Sequence, residues 1–165
     1  MDEAGNDVPQ GEVGEIILLG EGNMKGYYKD PEKTAETLRG EWLYTGDMAK
    51  QDEDGYYWVV DRKKDIIISG GVNIYPKEIE DQLLAHPQIT DAAVIGVPNP
   101  DWGETVKAFV VTDGGMKDVT MECQHYLQDK LASYKIPKLY EELEALPRNT
   151  TGKLLKNQLR EQVKS

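Results

Sequence analysis

The stretch from Asp61 to Glu80 constrains the fold of this chain more than any other part of the sequence. It opens with three cations, Arg62 to Lys64, continues with the triplet Ile66 to Ile68 and the pair Gly70-Gly71, and reaches Pro76. β-Branched residues favour strands, a glycine pair allows a tight turn, and proline suits the first position of a helix. We therefore interpret the stretch as a joint between two modules, with a binding loop attached.

The charge balance changes at this joint. Residues 1–61 contain 15 acids and 5 bases, whereas residues 62–165 contain 15 acids and 14 bases. We therefore expect two domains, 1–61 and 62–165. A chain with a net charge of −11 lacks the basic face that nonspecific nucleic-acid binding needs, so no nucleic-acid partner is expected.

The sequence shows no targeting or membrane signal. No apolar run is long enough to span a bilayer, so we expect no transmembrane segment. The first residues are acidic and polar, unlike a signal peptide, which makes a cytoplasmic location the expectation. The single cysteine, Cys123, cannot form an internal disulfide, and no second cysteine or histidine cluster completes a metal site.

The first 60 residues are predicted to be mostly β structure. Strands are indicated over 12–20, 41–47 and 56–60. The polar turn Thr45-Gly46-Asp47 is expected to end the second of them, and an extension over residues 48–51 stays open. Asp30 followed by Pro31 predicts a helix running to about Leu38. About 60 residues is marginal for independent folding, so this part is expected to need a neighbour.

Strands and helices alternate in the second part. Strands are predicted over 66–68, 91–97, 105–111 and 138–143, and helices over 76–85, after Thr120 as the cap, and at the C-terminus. Cys123, Leu127 and Leu131 form an apolar stripe. The predicted fold class is α+β: a β-rich N-terminal subdomain, then a small α+β domain with a three-stranded sheet, helices and a β-hairpin.

Four places could carry chemistry, and each has a structural alternative. The Asp47 carboxylate could accept hydrogen bonds from a vicinal diol such as a ribose, or merely hold a turn. The Arg62 guanidinium suits ribose or phosphate oxygens, or belongs to a solvated strand entry. Gly70 and Gly71 let a ligand approach the backbone, or serve only a hairpin. Lys153 could stabilise charge on a carboxylate or phosphate, or be a surface lysine.

Taken together, the segments resemble the adenylate-forming superfamily of acyl-CoA synthetases, luciferases and nonribosomal adenylation domains. The resemblance spans nearly the whole chain, in order and in register. Its pieces are Gly14-Glu15-Ile16 through Gly26-Tyr27-Tyr28, Tyr44-Thr45-Gly46-Asp47, Asp61-Arg62-Lys63-Lys64-Asp65, Ser69-Gly70-Gly71 through Ile74-Tyr75-Pro76 with Glu78-Ile79-Glu80, Trp102-Gly103-Glu104, Tyr134-Lys135-Ile136-Pro137, and Pro147-Arg148 through Gly152-Lys153.

The resemblance implies a two-step ligase that uses ATP, releases AMP and acylates coenzyme A. It implies that Asp47 and Arg62 hold the ribose hydroxyls and that Lys153 assists adenylation. Lys64 would be the hinge on which a small C-terminal lid rotates between the steps. The turn Ser69 to Gly71 would line the path of the coenzyme A thiol, and Mg²⁺ would be held by ligands outside this chain.

The joint segment resembles fatty or medium-chain acyl-CoA ligases more than carrier-protein adenylation domains. The resemblance also implies that the phosphate loop, the adenine site and the acyl pocket precede residue 1. We therefore expect the C-terminal part of a synthetase, inactive alone, whose partners are the N-terminal domain and a carboxylic acid; a homodimer is possible. Two alternatives stay open: a freestanding non-catalytic binding module with the lid fold, and part of an aryl-acid-CoA ligase.

Overall fold

A computed structural model describes residues 1–2 and 4–164 of the chain. The chain divides into two compact units, Met1–Lys64 and Asp65–Ser165. The division therefore lies three residues beyond the boundary suggested by the charge count. No helix of the described residues is long and apolar enough to cross a lipid bilayer.

The first unit is a four-stranded antiparallel sheet with one short helix. The long strand β3 lies at its centre and pairs with β1, β2 and β4. The Asp30 carboxylate accepts a hydrogen bond from the Lys33 amide, which confirms the predicted helix start. The elements are β1 Val13–Leu19, α1 Pro31–Thr37, β2 Leu38–Arg39, β3 Trp42–Gln51 and β4 Tyr57–Arg62.

The expectation that Thr45-Gly46-Asp47 ends a strand is wrong, because β3 continues to Gln51. Glu15 pairs with Met48 and Ile17 pairs with Tyr44, so Ile16 alone faces three residues of β3. The extra residues form a bulge, and Gly46 takes the positive φ of +71° that such a bulge requires. The predicted turn is thus a kink inside the central strand.

The second unit is a mostly antiparallel five-stranded sheet with three helices. The strand order is β6-β5-β8-β7, and β9 pairs in parallel with β8. A Ser69–Gly103 pair joins the predicted hairpin to the predicted three-stranded sheet, so the two form one sheet. The α+β class is confirmed. The elements are β5 Ile67–Ser69, β6 Val72–Ile74, α2 Pro76–Leu84, β7 Ile89–Asn99, β8 Gly103–Thr112, α3 Val119–Leu127, β9 Leu139–Glu142 and α4 Lys156–Lys164; a 3₁₀ turn, Lys63–Asp65, precedes β5.

Both hydrophobic core clusters lie in the second unit. Ala92 and Val94 of β7 point to one cluster and Ala93 and Ile95 to the other, because successive side chains of a strand face opposite sides. In the first unit, Ala49 is the one buried hydrophobic residue among those the structure describes.

The predicted stripe of α3 is confirmed for Cys123 and Leu127, whereas Leu131 is buried beyond the end of the helix, and the predicted cap is wrong. Cys123 and Leu127 are fully buried in the first core cluster. The helix begins one residue before Thr120, and Asp118 is its cap, with a carboxylate oxygen that accepts a hydrogen bond from the Met121 amide at 2.9 Å. Aspartate caps a helix at least as well as threonine does, so the earlier residue takes the role.

Candidate functional site

Asp47 and Arg62, the two predicted ribose-binding residues, lie side by side in the first unit. They are direct partners in the β3–β4 register. An Arg62 Nη1 atom lies 3.0 Å from Asp47 Oδ1 and also donates to the Thr45 carbonyl at 3.2 Å. Their side chains remain 34% and 49% exposed for Asp47 and Arg62, respectively, so both can still contact a ligand.

Hydrogen bonds fix the bulge that carries Asp47. The Thr45 hydroxyl donates to the Ile16 carbonyl at 2.7 Å and accepts from the Asp47 amide at 3.1 Å. The bulge therefore has a defined shape, and it presents the Asp47 carboxylate beside the guanidinium of Arg62.

Glu15 belongs to this arrangement, although the sequence analysis assigned it no role. Its side chain on β1 is only 9% exposed. One carboxylate oxygen accepts from the Gly46 amide at 3.0 Å, and the other binds the Lys63 ammonium at 2.9 Å. The signal available in the sequence was an isolated charge in an apolar strand, but its partners lie 31 and 48 residues away.

Ser69, Gly70 and Gly71 form the tight end of the β5–β6 hairpin. Gly70 and Gly71 have φ of +58° and +80°, as a type I′ turn requires. The Gly70 amide donates to the Trp102 carbonyl at 2.8 Å, and a Cβ added to Gly70 would lie 2.7 Å from the Trp102 ring. The second glycine has open space at the same position. Only the first is therefore in close contact with the loop opposite.

A largely apolar groove of about 540 Å³ lies beside this turn. Two of its aromatic side chains, Trp102 and Tyr134, are 62% and 52% exposed. The Asn99 side chain fixes the Trp102 loop by accepting from the amides of Asp101 and Trp102 at 3.0 and 3.1 Å. The lining residues are Ser69, Gly70, Val72, Pro98, Asn99, Trp102, Thr105, Val106, Tyr134, Ile136, Lys138 and Leu139.

Lys153 lies at the exposed end of a compact loop. The Asn149 side-chain oxygen accepts from the Lys153 amide at 2.8 Å, from the Thr151 amide at 3.1 Å and from the Thr151 hydroxyl at 2.8 Å. The Arg148 guanidinium donates to the Gly152 carbonyl at 2.8 Å. The same side chain binds both oxygens of Asp91 on β7, at 2.9 and 2.7 Å. The loop is thus fixed to the sheet while its lysine reaches into solvent.

The remaining predicted site residue, Lys64, lies in the 3₁₀ turn at the division between the units. Its side chain is exposed and forms no ion pair with any described residue. The structure brings Asp47 and Arg62 together. Within the second unit, Lys153 and the Ser69–Gly71 turn belong to separate loops.

Two ionisable groups with raised pKa values lie in the core of the second unit and not in these loops. Burial raises the pKa of the Cys123 thiol to about 11, with smaller effects of Glu122 and Glu142. Burial also raises the pKa of Tyr140, whose hydroxyl is buried without a hydrogen-bond partner among the described residues. In the described part of the chain, no group of three or more His, Cys, Asp or Glu side chains could hold a metal ion.

Residues 78–153 match the AMP-binding enzyme C-terminal domain family. The chain is 48% identical over 161 residues to the long-chain-fatty-acid–CoA ligase of Bacillus subtilis (strain 168), covering 98% of this chain and 29% of that protein. It is 50% identical over 157 residues to a feruloyl-CoA synthase of Amycolatopsis sp, covering 95% of this chain and 32% of that protein. The crystal structure of ATP-bound MatB from Rhodopseudomonas palustris matches with a TM-score of 0.89 and 44% identity, covering 99% of this chain and 33% of that chain. The chain thus spans about a third of the length of these relatives.

Proposed function

We propose that this chain completes an ATP-dependent acyl-CoA ligase. It belongs to the adenylate-forming superfamily and corresponds to the C-terminal portion of its members. In the first step a carboxylate oxygen attacks the α-phosphorus of ATP and pyrophosphate leaves, which gives an acyl-adenylate. In the second step the thiol of coenzyme A attacks the acyl carbonyl. The bond to AMP then breaks, and the thioester and AMP are released.

Within such an enzyme, the first unit, Met1–Lys64, would be the last β subdomain of the large adenylation domain, and the second unit, from Asp65 onward, the mobile C-terminal domain; the boundary then lies three residues beyond the expected one at residue 61. The distribution of core residues supports this division. The first unit has almost no buried hydrophobic side chain among its described residues, whereas the second has two core clusters. A sheet without its own core needs another body to cover it, which is the role we assign to a larger N-terminal domain.

The pairing of Asp47 with Arg62 is the observation that carries the proposal. An ordinary cross-strand ion pair would explain the contact alone. However, the carboxylate sits on a bulge fixed by Thr45, and the guanidinium uses one nitrogen for both of its contacts. Among the described residues, no further contact uses its remaining donors or the second carboxylate oxygen, so these can serve the two hydroxyls of a ribose.

We propose to test this pair in an enzyme that joins this chain to the N-terminal part of the Bacillus subtilis relative, called the joined enzyme below. A charge-assisted hydrogen bond contributes about 1.5 to 3 kcal/mol, so the joined enzyme should prefer ATP to 2′-deoxy-ATP by about 10- to 150-fold in kcat/KM for adenylation. Asp47→Asn should remove most of this preference. The matched control Asp54→Asn, on the exposed hairpin turn, should keep it. If Asp47→Asn kept the full preference, the ribose assignment would be wrong.

Lys153 is proposed to assist adenylation. Its ammonium would stabilise the negative charge that develops between the carboxylate and the α-phosphate, because a fixed cation in a site with little water lowers the energy of such a transition state. The loop held by Asn149 and Arg148 supports the proposal, since a residue that must meet a reacting centre needs a fixed backbone.

The groove beside Ser69 to Gly71 is proposed to guide coenzyme A in the second step. A pantetheine arm is long, thin and mostly apolar, with two amides, and the groove has an apolar lining with exposed backbone at a glycine turn. Trp102 and Tyr134 add aromatic surface to its walls. In the joined enzyme, Trp102→Ala should raise the KM for coenzyme A and leave the KM for ATP unchanged.

A fatty acid is the proposed acyl substrate, in line with the Bacillus subtilis relative. An aryl acid is the second candidate, favoured by the 50% identity to a feruloyl-CoA synthase. Assays with decanoic and ferulic acids distinguish the two, provided that they use this chain together with its own N-terminal domain and not the joined enzyme. The 165-residue chain alone should show no exchange of pyrophosphate into ATP with either acid; exchange would contradict its role as one part of a larger enzyme.

A further inference from the structure

Ion pairs divide the residues at the joint between the two units. The joint reads Arg62, Lys63, Lys64 and Asp65, and the division between the units follows Lys64. The partners of Arg62 and Lys63 lie in the first unit, at 3.0 and 2.9 Å, and the partner of Asp65 lies in the second, at 2.8 Å. The residue between them carries a charge but no such partner among the described residues.

Lys63 is attached to the first unit through Glu15. The Glu15 carboxylate is 9% exposed, and it also accepts a hydrogen bond from the Gly46 amide. A nearly buried carboxylate that loses its cation is strongly unfavourable, so the pair should persist. The strand β4 ends at Arg62, so Lys63 lies outside the strand. The ion pair with Glu15 nevertheless keeps Lys63 attached to this unit.

Asp65 is attached to the second unit through Arg160 of α4. The Asp65 side chain is 12% exposed and that of Arg160 is 28% exposed. The helix is itself fixed, because Leu159 is fully buried in a core cluster and Lys156 binds the nearly buried Glu80 at 2.7 Å. Asp65 therefore has a firm attachment to the core of its unit.

We propose that the Lys63–Glu15 and Asp65–Arg160 pairs are two clamps that confine bending of the joint to Lys64. Each residue has only two freely rotating backbone dihedrals, so fixing both neighbours leaves few ways for the chain to bend. Glu15 and Arg160 are then positioning residues, which act through Lys64. This inference rests on the proposed function, in which the second unit rotates between the two chemical steps.

The width of a distance distribution between the two units measures how tightly the joint is confined. Glu53 and Asp129 are both exposed, so spin labels can be attached after Glu53→Cys and Asp129→Cys. Pulsed electron paramagnetic resonance on the joined enzyme then measures that width. Cys123→Ala and removal of cysteines from the N-terminal part leave only these labels. We expect Glu15→Gln and Arg160→Gln each to broaden the distribution by at least half of its original width.

Matched controls separate this effect from a general loss of charge. Glu12→Gln near Glu15, and Asp81→Asn in the exposed Lys77–Asp81 pair, should leave the width unchanged. If Glu15→Gln does not accumulate as folded protein, Lys63→Gln removes the same ion pair from its exposed side. Unchanged widths in the clamp variants, or equal broadening in the controls, would overturn the proposal.

An activity measurement links the clamps to the reaction. In the joined enzyme, Arg160→Gln should lower single-turnover thioester formation by about five- to tenfold, because a smaller fraction of molecules holds the productive arrangement. Adenylate formation should change less than twofold. If the joined enzyme made no thioester while the widths responded as expected, the clamps would stand and the proposed function would fail. Normal thioester formation with unresponsive widths would show the reverse.

Discussion

Replacing Asn149 by alanine should slow adenylation without slowing thioester formation. The Asn149 side-chain oxygen accepts three hydrogen bonds within five residues, and one of them comes from the backbone amide of Lys153. Alanine removes all three. Two backbone bonds remain, from the Asn149 amide to the Lys153 carbonyl and from the Gly152 amide to the Asn149 carbonyl. The loop should therefore persist as a turn, with a less well-defined position for its lysine.

The size of the effect follows from the exposure of the loop. A hydrogen bond typically contributes about 0.5 to 1.5 kcal/mol, and exposed bonds belong at the lower end because water replaces the lost partner. Three such bonds give about 1.5 kcal/mol of preference for the ordered loop. Since about 1.4 kcal/mol corresponds to a factor of ten, the rate of adenylation should fall about tenfold. Removal of the ammonium in Lys153→Met should cost more, about 100-fold or above.

Single-turnover measurements on the joined enzyme separate the two steps. Adenylate formation is followed by pyrophosphate release, and thioester formation by adding coenzyme A to enzyme loaded with synthetic acyl-adenylate. Asn149→Asp retains the accepting oxygen and should keep most of the adenylation rate. An equal loss in both steps for Asn149→Ala would refute the argument, because the loop would then support the fold and not the lysine. No loss in either step would refute it as well.

Three further outcomes are expected. In the joined enzyme, Gly70→Ala should impair thioester formation far more than Gly71→Ala. Both variants incur the cost of a positive φ, about 1 to 2 kcal/mol. Of the two positions, only Gly70 has the Trp102 ring where an added Cβ would lie. Lys64→Pro should impair thioester formation more than adenylation; equal loss in both steps would count against the hinge. Burial raises the pKa of Cys123 to about 11 from an ordinary 9.0, so the folded state keeps a proton that the unfolded state releases. The stability of the second unit should therefore fall as the pH rises from about 9 towards 11, and urea titrations of Cys123→Ala should show a shallower fall.

Local sequence patterns predicted most of the elements because the relevant forces act over a few residues. The Asp30-Pro31 helix start, the glycine turn at Gly70 and the buried stripe of α3 depend on neighbours in the sequence. The predicted cap of α3 was wrong although it also depends on neighbouring residues. Two residues, Asp118 and Thr120, could each accept the capping hydrogen bond, and pattern alone does not decide between them.

The supports of the candidate site were not predictable, because they depend on pairs that are distant in sequence. Glu15 finds its partners 31 and 48 residues later, and Arg148 binds Asp91 across 57 residues. The bulge at Gly46 was likewise hidden. It follows from a register between β1 and β3 that no single strand encodes, and the tripeptide alone resembles an ordinary turn.

The extent to which each sheet is covered within its own unit indicates which unit would move. In the second unit, core clusters cover both faces of β7, so this unit can keep its shape without help. In the first unit, Tyr57, Trp58 and Val59 are consecutive on β4 and are 60% to 67% exposed. Successive residues point to opposite faces, so both faces of the sheet are uncovered there. We infer that these exposed apolar side chains form a contact surface. We therefore expect the first unit to stay fixed to a larger body through these residues, and the self-contained second unit is the one that we propose to rotate about Lys64.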